Sequence, residues 1–426
     1  MVYKTNPILA YIPGGYKDGF LPPAIGKELD RLTFSRNTTA TRRQKDGLIV
    51  EMPIDTPRLN YDYKNNCPYI LLEPQATNLL PYSENFSQTN WTKTGLGINV
   101  GDIIAPDGNK SGNKLKVTSA GTRYASDNVS LVSGEKAQIS CFAKAGLSGW
   151  FALQCVDAFG PTTDEATGTF DLVNGKIGET SLSSGLTPEL KIEPYNNGWY
   201  RCIMSFTATS TGAWNARIIA SAQDIDDLSG GTDDFVYAWG AQAEVSQECT
   251  SYIPTAATTT TRVGEKALNG FTSTEVKSPQ GAIYVEFQHT ADPITGFRTM
   301  TLSDGTPDEF VKIQQSGSAG NLTAILKVKG TVEANPNFDI LVGQRNKLAV
   351  TWGTKSDFKV FLNGKLISLT EPVNTFKPGV LDRFSFATET DTLPYYGKIY
   401  DVRFYDLFAF NMTNDEYNTF FKTLTN

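Results

Sequence analysis

The amino-acid sequence predicts an all-β protein in which two β-sandwich domains follow an irregular N-terminal segment. Glycine and proline are frequent, with 37 and 21 copies among 426 residues, and charged residues make up only 19%. Apolar residues alternate with polar ones in short runs separated by turn formers, and no long segment repeats its apolar positions every 3.6 residues. This profile is typical of many short strands and argues against helix bundles and coiled coils.

Length and charge narrow the possible classes of function. At roughly 150 residues per domain, the length predicts two or three domains. The net charge of −7 leaves no overall positive field to attract a phosphate backbone, so we expect no nucleic-acid partner. The sequence shows neither a secretory signal nor a run of about 18 apolar residues, so we expect a protein made in the cytoplasm without a membrane span. Its five cysteines are widely spaced with no CxxC pair, which predicts reduced thiols.

A single histidine, His289, excludes most imidazole-based chemistry. Ser-His-Asp and Cys-His mechanisms and multi-histidine metal sites all need imidazole groups. His289 ends an alternating apolar run just before a turn, which predicts a structural role. We therefore expect a non-enzymatic protein and assign no catalytic residue. A glycosidase pair among the 45 acidic residues would be recognised only by its separation in space.

Residues 1–72 are predicted to form a turn-rich docking segment that contains one hairpin. Two apolar runs, at residues 32–36 and 48–52, flank a polar stretch that ends in Asp46-Gly47. An Asp-Gly pair tolerates the positive φ angles of a hairpin turn. Because few apolar positions alternate here, we expect the segment to have little core of its own, and we expect a chain without residues 1–60 to fold.

Residues 73–261 alternate apolar and polar side chains repeatedly, and this predicts the first sandwich. Strands with one apolar face need a second layer to cover it, and without long helices that layer must be another sheet. Three cysteines fall on the apolar faces and are predicted core residues: Cys141, Cys155 and Cys202. A threonine-rich stretch at 255–261 then marks the domain boundary.

Residues 262–426 are predicted to form the second sandwich. An alternating apolar strand runs into Asn363-Gly364, the strongest short-range hairpin signal. Thr413 and Glu416 have capping-box spacing ahead of several aromatic residues, which predicts one short helix at the end of the chain.

Several blocks of sequence resemble segments of tailed-bacteriophage virion proteins. They occur in one order and comprise FSRNTTAT at 34–41, DGLI at 46–49, Pro57-Arg58, LLEPQATNLLPYSENF at 71–86 with Trp91, SCFAKAG at 140–146, NGWYR at 197–201, WGAQAE at 239–244 and TSYIPT at 250–255. The central module is similar to carbohydrate-binding jelly rolls. The C-terminal part resembles concanavalin A or laminin-G domains in GAIYVEF at 281–287, FLNG at 361–364 and GKIYDVR at 397–403.

The resemblance implies a non-enzymatic virion structural protein, such as a surface-exposed fibre or a tail-associated component. It implies that residues 1–72 attach the chain to other virion proteins, that the sandwiches bind host surface glycans, and that the protein is a homo-oligomer, with a trimer as the state that fibres often take. Two alternatives stay open. One is a head fibre or capsid decoration protein with purely structural contacts, and the other is a polysaccharide depolymerase.

Glycan sites usually combine an exposed aromatic ring with hydrogen-bonding side chains. Four aromatic residues are glycan-binding candidates because they stand at strand starts or beside turn formers: Trp150, Trp214, Tyr395 and Tyr396. Packing in the core is the alternative for each of them.

An acidic stretch that contains glycine could supply oxygen ligands to Ca²⁺, the one cofactor considered. Its carboxylates are Asp224, Asp226, Asp227, Asp233 and Asp234. The spacing is not that of an EF-hand loop, and a solvated acidic loop is the alternative.

Overall fold

A computed structural model describes residues 6–426 apart from 17–20, 22, 26–30, 120, 122, 158–163, 181–185, 222–233, 272–275, 277–278, 290–297, 316, 318–319, 355–356 and 408–411. Within these ranges the chain forms thirty-two β-strands and one α-helix, which confirms the all-β prediction. In the described part of the chain, no helix is long and apolar enough to cross a membrane.

Seven short strands precede the central sandwich. Their bounds are β1 Leu9–Tyr11, β2 Thr33–Ser35, β3 Ala40–Arg43, β4 Ile49–Met52, β5 Arg58–Tyr61, β6 Pro68–Leu72 and β7 Ala76–Asn78. β3 and β4 pair as an antiparallel hairpin whose turn contains Gly47 at φ +86°, a conformation that glycine adopts without strain.

The central sandwich consists of two six-stranded antiparallel sheets. Its strands are β8 Thr92–Thr94, β9 Leu96–Ile103, β10 Gly112–Val117, β11 Tyr124–Leu131, β12 Lys136–Ala145, β13 Trp150–Asp157, β14 Glu165–Asp171, β15 Lys176–Thr180, β16 Glu189–Pro194, β17 Tyr200–Thr207, β18 Gly212–Ser221 and β19 Phe235–Val245. The sheet orders are β16-β17-β12-β19-β10-β9 and β15-β14-β13-β18-β11-β8. Cys141, Cys155 and Cys202 are buried free thiols in the core between the sheets, as predicted.

The C-terminal sandwich follows two short connecting strands. The bounds are β20 Thr260–Arg262, β21 Lys266–Leu268, β22 Gly281–Gln288, β23 Thr299–Ser303, β24 Phe310–Gln315, β25 Asn321–Val328, β26 Thr331–Ala334, β27 Asn337–Asp339, β28 Asn346–Thr354, β29 Asp357–Leu362, β30 Lys365–Thr370, β31 Arg383–Ser385, β32 Gly397–Asp406 and α1 Asn414–Thr425. One sheet has the order β26-β25-β24-β23-β31, with β27 paired to β25. The other contains β30-β29-β28-β22-β32-β6-β5, with β1 paired to β32.

Two local predictions for the C-terminal sandwich are confirmed. Asn363 and Gly364, at φ +46° and +83°, form the two-residue turn between β29 and β30. The Thr413 hydroxyl accepts from the Glu416 backbone N–H, and the Glu416 carboxylate accepts from the Thr413 backbone N–H, so a capping box starts α1. The helix packs Tyr417 and Phe421 onto the outer side of the eight-stranded sheet.

Residues 1–72 are predicted to have little core of their own, and in the structure several of their strands belong to the C-terminal sandwich. β1, β5 and β6 are strands of its larger sheet, and β1 pairs with β32 through Leu9 opposite Phe404. Leu9, Tyr11, Leu59 and Ile70 all belong to that sandwich's core. Alternation alone could not show this, because β1 and β6 pair with a strand more than 300 residues away in sequence, at residues 397–406.

The predicted hairpin has the expected turn but a different first strand. The run at 48–52 pairs with Ala40–Arg43, while Thr33–Ser35 pairs with Lys266–Leu268 instead. The first apolar run is therefore used for a long-range contact with the connecting segment between the sandwiches.

Charged residues form a buried cluster where the N-terminal segment meets both sandwiches. We call it the ionic junction and define it by Arg36, Arg58, Glu73, Arg262 and Glu265. Arg58 binds both carboxylates: its Nη2 contacts Glu73 at 2.8 Å and also Glu265, and its Nε donates to Glu265 at 2.8 Å. Arg36 Nη1 lies 2.7 Å from Glu265 Oε1, the oxygen that also accepts from Arg58 Nε. The junction thus joins positions far apart in sequence.

Glu73 links the ionic junction to the central sandwich. Arg262 Nη1 lies 2.8 Å from its Oε2, and Ser251, just after β19, donates its backbone N–H at 2.8 Å and its hydroxyl at 2.6 Å. Burial by itself would raise the pKa of Glu73, but the charges of Arg262 and Arg58 and the hydrogen bonds from Ser251 outweigh it and lower the pKa to about 2. Glu73 is therefore ionised across the physiological range.

The role of β1 can be tested with Leu9→Ala. Leu9 is 0% exposed, so removing its side chain should leave a cavity and lower the free energy of unfolding by about 3 kcal/mol. Urea denaturation followed by tryptophan fluorescence measures this change. Leu147, which is 71% exposed, is the matched control, and Leu147→Ala should alter the stability by less than about 0.5 kcal/mol. Equal stability of wild type and L9A would mean that β1 is dispensable.

The ionic junction predicts a pH dependence of stability. The pKa of Glu73 is lowered from 4.5 to about 2, so its contribution is present above pH 4.5 and is lost as the pH falls towards 2. At 1.36 kcal/mol per unit, that contribution is about 3 kcal/mol. Urea denaturation at several pH values should show Glu73→Gln less stable than wild type at pH 7, with a gap that narrows below about pH 4.5.

The control for this measurement is Glu189→Gln. Glu189 pairs with Lys136 at 3.0 Å, but its side chain is 77% exposed. Solvent screens such a pair, so we expect a change below about 1 kcal/mol. A Glu73→Gln protein with the stability and pH profile of Glu189→Gln would contradict the assigned role of the junction.

Candidate functional site

Polar and aromatic side chains lie on one side of a central sheet, the side that faces away from the core between the sheets. In β13, Phe151, Leu153 and Cys155 enter the core, so strand alternation turns Trp150 and Gln154 to the opposite side. The same alternation in β11, β14 and β18 brings further side chains to that side. We define this polar face by Tyr124, Ser126, Asn128, Trp150, Gln154, Glu165, Thr167, Asn215 and Arg217.

Strand register explains why these side chains meet. Gln154 lies opposite Arg217 of β18 on one side and Thr167 of β14 on the other, and Arg217 lies opposite Ser126 of β11. Adjacent strands are about 4.8 Å apart, which allows side chains in one row to hydrogen-bond. Gln154 Nε2 donates to Thr167 Oγ1 at 3.1 Å, and the Thr167 hydroxyl donates to Glu165 Oε1 at 3.1 Å. The side-chain amide of Gln154 therefore has a defined orientation.

Arg217 is held in place from three directions. Its Nη1 donates to Gln154 Oε1 at 2.9 Å, and its Nε donates to Asn215 Oδ1 at 2.7 Å. Its guanidinium carbon lies 4.4 Å from the centre of the Tyr124 ring. Asn215 is oriented in turn, because its Nδ2 donates to Asn128 Oδ1 at 2.9 Å. Four neutral side chains thus fix one cation on the surface of the sheet.

Trp150 is the sequence-predicted candidate that lies on the polar face. It is half-buried at the first position of β13. Four residues separate it from Gln154 along the strand, a distance of about 13 Å at 3.3 Å per residue. The face therefore has an aromatic ring at one end and the Arg217 cluster nearer its centre.

Two of the predicted glycan contacts are wrong, because their rings are buried. Trp214 is 0% exposed and packs against Phe206 in the central core, with ring centres 5.5 Å apart. Tyr395 is 1% exposed in the C-terminal core, where its ring centre lies 5.3 Å from that of His289. A sugar needs an exposed ring face, and the period-2 alternation of β18 turns Trp214 inwards and its neighbour Asn215 outwards.

Tyr396 lies near the ionic junction and is not part of the polar face. It is half-buried, and burial raises the pKa of its phenol, with a further contribution from the negative charge of Glu265. The structure therefore does not bring the four aromatic candidates together, since Tyr395 and Tyr396 belong to the other sandwich.

The calcium prediction falls mostly outside the described residues. Asp224, Asp226, Asp227 and Asp233 lie there, while Asp234 is described and its backbone carbonyl accepts from the Val117 N–H at 2.8 Å. Among the residues that the structure describes, no group of three or more His, Cys, Asp or Glu side chains is arranged to hold a metal ion. Calcium binding by the acidic stretch stays a prediction.

Comparison with family models and with curated proteins finds no match. Among solved structures, the chain is similar to the CBM40 module of an IT-sialidase from Ruminococcus gnavus bound to alpha2,3 sialyllactose, at 19% identity over 38% of this chain and 93% of that chain, with a TM-score of 0.29. It is also similar to a heptameric SAP-like pentraxin from Limulus polyphemus, at 15% identity over 35% and 70% of the chains and a TM-score of 0.26.

A third similar structure contains domains LG4-5 of the mouse laminin alpha1 chain, at 11% identity over 65% of this chain and 84% of that chain, with a TM-score of 0.22. The strand orders of the sheets, and not these similarities, establish the two-sandwich architecture.

A cleft of about 530 Å³ lies between the sandwiches and is the other concave region to consider. Tyrosines from both sandwiches line it, and so do cations and carboxylates in similar number, among them Arg42, Arg43, Lys191, Lys398, Asp62, Glu193 and Glu248. Several of these charges pair with each other: Lys191 contacts Glu193 at 2.6 Å, and Lys398 lies 3.9 Å from Asp62. The cleft therefore presents no net charge preference, in contrast to Arg217 on the polar face.

The sequence contains a signal for the polar face in the polar residues that alternate with buried ones. Asn215 and Arg217 alternate with buried residues in β18, as Gln154 does in β13. Alternation shows that such residues share a side of their own strand. Only the pairing of β13 with β18 shows that the two strands place them together.

Substitutions of the two predicted tryptophans should change different properties: glycan binding for Trp150 and stability for Trp214. Trp150→Ala removes a half-buried ring from the polar face, so it should weaken glycan binding about tenfold and leave the fold intact. Trp214→Ala creates a core cavity and should lower the free energy of unfolding by about 3 to 5 kcal/mol. Calorimetric titration with a bound glycan measures the first effect and urea denaturation the second. Unchanged affinity of W150A would remove Trp150 from the site.

Proposed function

We propose that this chain is a non-enzymatic bacteriophage virion structural protein, surface-exposed on a fibre or the tail, that binds host surface glycans through the polar face. The observation that carries the glycan proposal is the cluster of Arg217 with its neutral partners Gln154, Asn215 and Tyr124. It combines fixed hydrogen-bonding groups with aromatic rings, the two elements by which proteins hold sugars.

The chemistry of the polar face suits sugar hydroxyls. Each hydroxyl can donate one hydrogen bond and accept others, and the amides of Gln154 and Asn215 offer both functions beside the Arg217 guanidinium. The Trp150 ring supplies an apolar surface for the C–H side of a pyranose. A site on one side of a sheet is suited to weak single-site binding, which many copies on one particle would strengthen.

The proposal of a non-enzymatic role rests on what stands at the centre of the polar face. A glycosidase needs two carboxyl groups that flank the scissile bond. Amides, a hydroxyl and a guanidinium occupy the centre here, and Glu165 stands at the end of the hydrogen-bonded row. Such groups can hold a sugar, but a guanidinium and amides cannot act as the acid and base of hydrolysis.

The virion assignment rests on the ordered sequence blocks. Several of these blocks contribute residues to the ionic junction. Arg36, Arg58, Glu73 and Ser251 come from four different blocks and meet at the ionic junction. Blocks that resemble phage proteins thus supply the groups that orient the sandwiches. Attachment to other virion proteins through residues 1–72, and a homo-oligomeric state such as a trimer, belong to the same proposal.

A head fibre or capsid decoration protein with purely structural contacts is the second candidate. The edge strand β30 favours it, because Ile367 and Leu369 are exposed there and Val373, just beyond it, is 91% exposed. Exposed apolar groups at a sheet edge are typical of protein contacts.

A glycan array and a whole-cell binding assay with the purified protein test the proposal, with Trp150→Ala as the comparison. We expect binding by wild type and a clear loss in W150A. Absence of binding in both assays, together with a particle location away from the host-facing surface, would favour the purely structural role. Shorter chains after incubation with host polysaccharide would instead identify a depolymerase.

A further inference from the structure

We infer that the glycan bound by the polar face carries a carboxylate and that Arg217 binds this group. The inference rests on the proposed glycan binding and adds the chemical class of the sugar: an acidic saccharide such as one that contains a uronic acid. Three features of Arg217 carry it, namely its unbalanced charge, its fixed position and its unused donors.

In the described part of the chain, only neutral groups hold the charged side chain of Arg217. Both of its hydrogen-bond acceptors, Gln154 and Asn215, are neutral amides, and Tyr124 contributes a ring face. Among the described residues no carboxylate lies within ion-pair distance of Arg217. Glu165, on the same face, belongs to β14, two strands away and about 10 Å across the sheet. A surface arginine that only neutral groups hold keeps its full attraction for an anion.

The side chain is fixed before any ligand arrives. Thr167 orients Gln154, Asn128 orients Asn215, and these two amides hold adjacent nitrogens of the guanidinium while the Tyr124 ring supports its plane. A free arginine side chain loses rotamer entropy when it is immobilised by a ligand, whereas the Arg217 side chain is already immobilised by the fold. Preorganisation of this kind raises affinity for a ligand that matches the fixed geometry.

The third nitrogen of the guanidinium is available. In the described part of the chain Nη2 makes no hydrogen bond, and it is not among the buried polar atoms that lack a partner, so solvent reaches it. It offers two N–H donors in the plane of the group. An oxygen of a carboxylate can accept from these donors, and such charge-assisted hydrogen bonds are about twice as strong as neutral ones.

The distance to Trp150 suits an oligosaccharide. The ring stands two side-chain rows from the row of Gln154 and Arg217, about 13 Å along the strand. An acidic sugar unit at Arg217 and another unit of the same oligosaccharide on Trp150 would use the centre and one end of the polar face. The acidic unit then determines selectivity, and the stacked unit adds affinity.

The experiment compares an acidic oligosaccharide that binds on the array with the same compound after its carboxyl groups are reduced to alcohols. Calorimetric titration of wild type should show a loss of about 10- to 100-fold on reduction, as expected for a hydrogen bond to a charged group. Arg217→Gln should bind both compounds with the weaker affinity. Arg217→Lys should recover only part of the difference, because lysine keeps the charge but not the planar donors.

Arg383→Gln is the matched control, since Arg383 is a half-exposed arginine on the C-terminal sandwich and should leave the preference unchanged. Thermal unfolding verifies that each variant folds. The comparison of the two ligands on wild type needs no variant, so it decides the question even if R217Q is unstable.

Each outcome has a defined meaning. Equal binding of the acidic and reduced compounds by wild type would overturn the carboxylate assignment and leave the proposed glycan binding standing. Equal binding of a sulfated analogue would replace the carboxylate with a general preference for anions and overturn the assignment too. Absence of binding to every glycan would overturn the proposed function together with this inference.

Discussion

The ionic junction is the constraint on which the rest of this structure depends. Three arginines and Glu265 are buried together with the part-buried Glu73, and each carboxylate contacts two guanidinium groups. Burial of a single unpaired member would cost several kcal/mol, so the five residues must assemble as a set. Because they come from the N-terminal segment, the connecting segment and the end of β6, their assembly holds these parts of the chain to one arrangement. Hydrogen bonds from Ser251 extend that arrangement to the central sandwich.

The period-2 geometry of strands explains both the core and the polar face. In β13 and β18 every second residue fills the core between the sheets, which leaves the intervening residues for the outer side. The outer side is not part of the core between the sheets, so its composition is free to serve binding. Here it holds amides, hydroxyls, one guanidinium and two aromatic rings within four neighbouring strands. The core and the polar face are therefore two sides of one sheet. The close packing of the core fixes the geometry of the polar face.

Charge separates the polar face from the cleft between the sandwiches. The cleft encloses about 530 Å³, yet its lysines and carboxylates neutralise one another, as Lys191 and Glu193 do at 2.6 Å. On the polar face, the described residues hold the cation Arg217 among neutral partners. Electrostatic selectivity depends on charge that the surrounding groups do not balance, so the polar face is the better candidate for ligand recognition.

Residues close together in sequence determined much of this protein's local structure. The Asn363-Gly364 turn, the capping box of α1, the inward-facing cysteines and the all-β class all follow from short-range patterns, because backbone conformation and side-chain alternation are local properties. Only the tertiary structure decided which strands became neighbours. Leu9 joined a sheet with Phe404, Thr33–Ser35 paired with Lys266–Leu268, and Gln154 came to lie beside Arg217. Trp214 is a further example: its aromatic character is visible in the sequence, but only the tertiary structure shows that it is buried. Pairing depends on the energy of contacts between distant segments, and a single sequence does not record which distant segments will meet.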